Sequence, residues 1–193
     1  TASVVTVPST ASPFVGGFNA SPTRSPHYGD DVWARRADVR SAAVDAKNRV
    51  WMASRLRDPD QQPDFCTSDE NPFAANYPLE RASRQVSLYD PATGAFEQID
   101  TCFSSDHNQM SDDNHLYFGQ NGAVGWIDMD MWDETHDAEA SQGWCPAVID
   151  TNGDGRITEW TEPDQPVSPS MDHRIAFGCY SVAVSPADGS LWC

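Results

Sequence analysis

Positive charge is scarce in this chain: 12 Lys and Arg stand against 29 Asp and Glu, a net charge of −17 over 193 residues. The acids are spread along the chain and not gathered into one tail, and lysine is rare. A surface this negative repels phosphate and offers no basic stripe for counterion release, which argues against nucleic acid as a partner. It favours cations instead. Also missing is any apolar run of about 18 residues, the length a helix needs to cross a bilayer, so no membrane span is expected. No Gly-x-Ser-x-Gly nucleophile elbow occurs, and the scattered Ser, His and Asp residues assemble into no triad. Gly16-Gly17 and Gly153-x-Gly155 lack the preceding strand and the following Lys-Ser/Thr of a phosphate loop. A Cys-x-x-Cys-His haem attachment is absent as well, which counts against a quinone- or haem-linked oxidase.

The cysteines that are present, Cys66, Cys102, Cys145, Cys179 and Cys193, do not show the short paired spacing of a zinc site. Disulfides are therefore the first reading, with burial as small apolar residues the alternative. Cys66 falls in a loop and Cys102 at a strand end, a workable pair; Cys179 and Cys193 flank one hairpin-like segment and are another. An odd count leaves one thiol over, or a partner beyond the chain. Together with the acidic composition this points to a secreted or periplasmic protein. The chain starts at Thr1 without methionine and stops at Cys193, directly after the strand-like Gly189-Ser190-Leu191-Trp192. That pattern predicts a processed N-terminus and a further C-terminal remainder.

Asp150-Thr151-Asn152-Gly153-Asp154-Gly155-Arg156-Ile157 spaces three oxygen donors two residues apart and then supplies a glycine for a sharp turn. An EF-hand-like calcium loop has this form: alternate side-chain donors, a glycine, then a backbone carbonyl. Asp150, Asn152, Asp154 and the Arg156 carbonyl fit in order. The closing acid of such a loop falls on Thr161, so Glu159 or Glu162, on either side, is the expected last ligand. Trp144-Cys145-Pro146-Ala147-Val148-Ile149 reads as a strand, which makes the loop a calcium staple and not half of a helical sensor pair. A polar Asn-Gly and Asp-Gly turn without metal is the competing reading.

Residues 1–30, rich in Thr, Ser, Pro and Gly, read as an extended arm, and Asn19-Ala20-Ser21 within it is a glycosylation sequon. Beyond it the chain repeats. Residues 43–51, 109–117 and 183–192 each carry an apolar strand end, a polar turn holding Asn or Gly, and a return strand with an aliphatic residue before an aromatic. Residues 84–99 form a second hairpin around Asp90-Pro91-Ala92-Thr93-Gly94 and complete a four-stranded unit. Residues 123–128 repeat its third strand, and the acidic run from Asp128 to Glu139 predicts a short helix. Such units are the mark of a β-propeller. The repeat spacing, 66 residues from Trp51 to Tyr117 and 75 from Tyr117 to Trp192, exceeds the roughly 40–50 of a minimal blade. Loops are therefore inserted, one over residues 57–79 and another including the calcium-type loop at 150–162. The expected fold is all-β, a partial propeller of about three blades over residues 31–193. Trp51 and Trp192 occupy the repeat position and are expected to pack inside blades; Trp132, Trp144 and Trp160 are the candidates for exposed contacts.

Asn48-Arg49-Val50-Trp51-Met52-Ala53-Ser54 and Val86-Ser87-Leu88-Tyr89-Asp90-Pro91-Ala92-Thr93-Gly94 resemble the blade repeat of NHL-type and streptogramin-lyase-like (virginiamycin B lyase-like) propellers. Pro78-Leu79-Glu80-Arg81, Ile99-Asp100-Thr101-Cys102-Phe103, Ser141-Gln142-Gly143-Trp144-Cys145-Pro146, Asp150-Thr151-Asn152-Gly153 and Glu162-Pro163-Asp164-Gln165-Pro166-Val167 resemble more specifically a set of exported bacterial proteins. These are usually named only for a carboxypeptidase-regulatory-like domain. The resemblance covers about residues 40–193; the blade motifs are weakly specific and the longer phrases more so. It implies an exported propeller of roughly six or seven blades, without an established activity.

In streptogramin-lyase-like blades a His often precedes the strand, and His107 of Asp106-His107-Asn108-Gln109-Met110 occupies that place. The resemblance makes it a candidate general base beside a divalent ion. The first and third units have no His there, and a polar turn or channel residue is the plainer reading. His27, His115, His136 and His173 stand isolated among polar neighbours and are expected to be solvated. The resulting expectation is a calcium-binding propeller that acts as a binding or assembly module, with a protein partner or further blades beyond Cys193. The alternative is a divalent-metal-dependent lyase or hydrolase using His107.

Overall fold

The computed structural model describes Val5, Val7 and residues 39–120, 122–176 and 178–193. The rest of the expected N-terminal arm, with Asn19 and His27, lies outside the described residues.

Alternating apolar and polar residues, broken at short polar turns, produce a run of mostly antiparallel strands. β1 (Arg40–Val44), β2 (Val50–Ser54), β3 (Gln85–Asp90) and β4 (Ala95–Ile99) form one four-stranded sheet in chain order. After it come β5 (Asn108–Met110), β6 (His115–Gln120), β7 (Ala123–Asp128) and β8 (Gln142–Pro146), a second meander with the same order. β9 (Val148–Ile149), β10 (Trp160–Thr161) and β11 (Asp172–Arg174) make a small three-stranded sheet with β11 in the middle. β12 (Ala183–Val184) and β13 (Leu191–Trp192) pair as a hairpin. Among the described residues the architecture is all-β, with two short α-helices: α1 (Pro72–Asn76) in the β2–β3 insertion and α2 (Met129–Thr135) between β7 and β8.

The three repeated hairpins are built alike. In each turn the residue that opens it donates its amide back across the hairpin, Asp45 to the Arg49 carbonyl, Ser111 to His115 and Ser185 to Ser190, at 2.8 to 3.0 Å. Each turn also needs one left-handed residue, supplied by Asn48 (φ 61), Asn114 (φ 60) and Gly189 (φ 73). Asn tolerates that conformation because its short polar side chain bonds locally, and Gly because it has no Cβ.

The first turn is further fixed by charge. The Asp45 carboxylate accepts the amides of Lys47 (2.9 Å) and Arg49 (2.8 Å), the Arg49 guanidinium (2.8 Å) and the Trp51 indole N–H (2.9 Å). Arg49 continues to Asp133 on α2 at 2.5 Å, and Lys47 joins it there. A turn of the first sheet is thereby tied to a helix of the second.

Inner strands β2 and β3 are buried nearly end to end, whereas β7 alternates buried and half-buried residues, as expected of a sheet covered on one face. One buried cluster draws from both sheets: Trp51, Val86, Leu88 and Ile99 from the first, Leu116, Phe118, Ile127 and Trp144 from the second. The β4–β5 connection seats against the second sheet at Gly125, where a Cβ would run into the Phe103 ring. Gln85 fastens the insertion from below, accepting the amides of Leu56 and Arg57 and donating to the Ala82 carbonyl.

Two expectations for tryptophan are corrected. Trp144 and Trp132, expected in exposed contacts, are 2% and 5% exposed. α1 packs on β8, so Trp144 stands beneath it and donates to the Tyr77 carbonyl (2.7 Å), while Trp132 on α2 donates to Glu97 of the first sheet (2.7 Å). Trp192, expected inside a blade like Trp51, is 69% exposed, because β13 has no strand beyond it among the described residues.

Candidate functional site

The 150–162 segment leaves the small sheet at β9 and returns at β10. Its turns are Asx turns made by the residues expected as ligands. The Asp150 carboxylate accepts the amides of Gly153 (2.6 Å) and Gly155 (2.9 Å), Asn152 Oδ1 that of Asp154 (2.9 Å), and Asp154 Oδ1 that of Arg156 (2.8 Å). Gly153 (φ 78) and Gly155 (φ 74) take left-handed conformations, with open space where a Cβ would stand. Conformation and not crowding therefore demands glycine there. Thr151 Oγ1 donates to the Met171 carbonyl (3.0 Å) and pins the loop beside β11.

The two acids expected to close a metal shell are placed differently. Glu162 accepts Nε (2.7 Å) and Nη2 (2.5 Å) of Arg174 on one oxygen and the Trp160 indole (3.2 Å) on the other. The Arg174 hydrogen bond, with its charge, holds the Glu162 carboxyl below the usual range. Its oxygens serve a cation of the protein's own. Glu159 is exposed, and its carbonyl accepts the Asp172 amide (2.9 Å). Among the described residues no three His, Cys, Asp or Glu side chains converge as a metal-holding group. The side-chain donors Asp150, Asn152 and Asp154 and the Arg156 carbonyl nonetheless suit a hard cation in chemistry, since all are oxygen. They share a loop with the turn glycines such a site requires.

Beside the loop lies a group that sequence reasoning missed. Asp172, the first residue of β11, is 0% exposed, and neither carboxylate oxygen has a hydrogen-bond partner. Its neighbours Met171 and His173 give no sign of this in sequence, because only the pairing of β11 with both β9 and β10 encloses it.

His107 stands immediately before β5. Its ring packs on Tyr180 with centroids 4.5 Å apart, and its carbonyl accepts the Gly119 amide (3.4 Å). Asp106 beside it lies 3.6 Å from Arg40, and its Oδ1 is otherwise unpartnered and buried. The histidines that meet a carboxylate among the described residues are others: His115 with Asp113 (3.4 Å) and His136 with Glu97 (3.4 Å). His173 shares a hydrogen bond with Thr161 Oγ1 (2.7 Å). The expectation of solvated histidines fits the exposed His136; His115 and His173 are half-buried.

The cysteines pair as Cys66–Cys102 and Cys179–Cys193, with Cys145 left over. A cavity of about 450 Å³ opens between the β5–β6 and β12–β13 turns, lined among others by Met110, Asp113, Tyr117, Val184 and Pro186. No helix among the described residues is long and apolar enough to cross a membrane.

Compared with models of protein families, with curated proteins and with solved structures, the chain matches none.

Proposed function

We propose that this chain is part of an exported β-propeller that acts as a binding or assembly module and is stapled by calcium at the 150–162 loop. The supporting observation is the repetition of a four-stranded meander whose first strands lie side by side. β1 contacts β5, and β5 contacts β12. Asn108 on β5 receives the Ser41 hydroxyl as its amide's acceptor (3.2 Å) and donates from its side chain to the Ser41 carbonyl (3.2 Å). First strands meeting in chain order are what successive blades around a common axis require, with β12–β13 as the start of a third. The long insertions at 57–79 and around the 150–162 loop are carried on this scaffold, and loops on a rigid sheet are where binding usually resides. Two disulfides suit an oxidising compartment outside the cytoplasm.

Bound calcium would supply charge neutralisation for Asp150 and Asp154 and hold the loop closed; the chain's own part is to present the oxygens and the left-handed glycines. The test is thermal unfolding in calcium against chelator, for the native chain and for Asp154→Ala. A calcium-dependent rise in melting temperature that the substitution abolishes supports the reading. Equal melting under both conditions defeats the calcium staple.

A second reading is a metal-dependent lyase with His107 as general base. It is favoured by the half-buried Asp106 next to it in sequence, whose Oδ1 is enclosed without a hydrogen-bond partner. Metal-dependent turnover lost in His107→Ala would support it.

A further inference from the structure

We propose that Asp172, which lies outside the loop motif, supplies a carboxylate ligand to the calcium ion of the 150–162 loop and so clamps the loop onto β11. The inference rests on the calcium reading of that loop.

Topology places Asp172 between the loop's two ends. β9 runs antiparallel to β11 with Ile149 opposite His173, so one further step brings Asp150 level with Asp172. β10 runs parallel to β11 and begins with Trp160 opposite Asp172. The loop therefore departs on one side of Asp172 and returns on the other. Two hydrogen bonds hold it there, from the Asp172 amide to the Glu159 carbonyl (2.9 Å) and from Thr151 to the Met171 carbonyl (3.0 Å).

The state of the Asp172 side chain calls for a positive partner. A carboxylate taken fully out of water without hydrogen bond or counter-charge is strongly unfavourable, and such groups are ordinarily paired or bound to metal. Here both oxygens are buried and unpartnered. The nearest cation in sequence, Arg174, is engaged by Glu162 and lies over the Tyr77 ring (5.7 Å). In a chain of net charge −17 a cation from solvent is the available remedy. The loop offers the remaining donors. Each Asp150 oxygen accepts one amide and keeps a second lone pair, and the Arg156 carbonyl follows the turn. Asp172 also replaces the acid that the motif lacks at Thr161, now that Glu162 is held by Arg174. The carboxylates are not yet gathered into one shell in this structure, so side-chain rotation accompanies binding. An all-oxygen set of carboxylates and carbonyls without octahedral symmetry suits calcium better than magnesium.

The test is calorimetric titration of calcium chloride into the chelator-treated full chain, for the native protein, Asp154→Ala and Asp172→Asn, with melting in chelator and in calcium. Asp172→Asn is expected to weaken calcium binding by about 10-fold or more. It should also invert the melting order: at or above the native chain in chelator, where an unpaired buried charge has been removed, and below it in calcium. Unchanged calcium affinity in Asp172→Asn, with binding lost in Asp154→Ala, overturns the role of Asp172 and leaves the loop site standing. No binding by the native chain removes the loop reading and this inference together. Asp172→Ser repeats the comparison if the Asn variant does not fold.

Discussion

Arg49 shows how much one side chain can carry. It is 14% exposed between Asp45, which is 6% exposed, and Asp133. Burial pushes the Asp45 carboxyl up, but hydrogen bonds from Trp51 and from the Arg49 amide and guanidinium outweigh it and hold the group below its ordinary value. Burial likewise opposes and fails to prevent the lowering of Asp133 by Arg49 and Lys47. Both carboxyls release their protons more readily folded than unfolded. Their stabilisation is complete above the unfolded value of about 4 and is lost as pH falls through the lower folded values. Urea unfolding is expected to show a loss of stability below about pH 4 that is smaller in Asp133→Asn; equal acid slopes in the two proteins would refute it. Arg49→Met leaves Asp45 buried without its counter-charge and is expected to cost about 3 kcal/mol, the low end for breaking a buried pair. Chemical denaturation of the variant measures that cost, and a loss below about 1 kcal/mol, the range of exposed pairs, would assign Arg49 to the surface class.

Among the elements, the β2–β3 insertion depends on its covalent tie. Cys66, at the end of a 3-10 turn over Asp64–Cys66, is bonded to Cys102 just beyond β4, 36 residues away. Closing a loop of that size removes much of the unfolded chain's freedom, so Cys66→Ala with Cys102→Ala is expected to lose about 2–5 kcal/mol. An unchanged denaturation midpoint would contradict this. α2, by contrast, is short and relies on its cap: the Asp128 carboxylate accepts the amides of Asp130 (3.1 Å) and Met131 (2.9 Å). Asp128→Ala should cost about 1 kcal/mol. The β12–β13 hairpin has only two short strands and is closed by Cys179–Cys193. An isolated hairpin is marginal in water, so reduction should make residues 180–193 the first site of limited proteolysis; first cleavage elsewhere would show the hairpin to be held by packing.

At the level of the whole molecule, self-repulsion from a net charge of −17 opposes the compact state. Raising sodium chloride from about 10 mM to about 150 mM, which shortens the screening length to about 8 Å, should raise the melting temperature. A fall would mean that salt bridges such as Arg49–Asp133 dominate over repulsion. If the proposed calcium staple holds, calcium should act at much lower concentration than sodium, because a site-bound ion stabilises by mass action and not by screening.

The strand content and the repeated hairpins were legible in the chain because both are local. Alternation around Val86 and Leu88, the Asp-Pro-x-Thr-Gly turn and the Asn48, Asn114 and Gly189 positions each specify backbone conformation within a few residues. The Asx turns of the 150–155 loop belong to the same class, as does the short helix at 129–135. The strand and loop positions made Cys66 with Cys102 and Cys179 with Cys193 workable pairs, but the pairing itself was decided by the fold. What sequence alone did not determine was burial across elements. Trp144 and Trp192 are both aromatic residues on strands; one is enclosed because α1 packs on β8, and the other is exposed where β13 lacks a neighbour. Glu162 and Asp172 are both acids near one loop. Tertiary pairing gave Arg174 to the first and enclosed the second without a partner, because side-chain fate depends on which strands meet, and that is settled by contacts far apart in the chain.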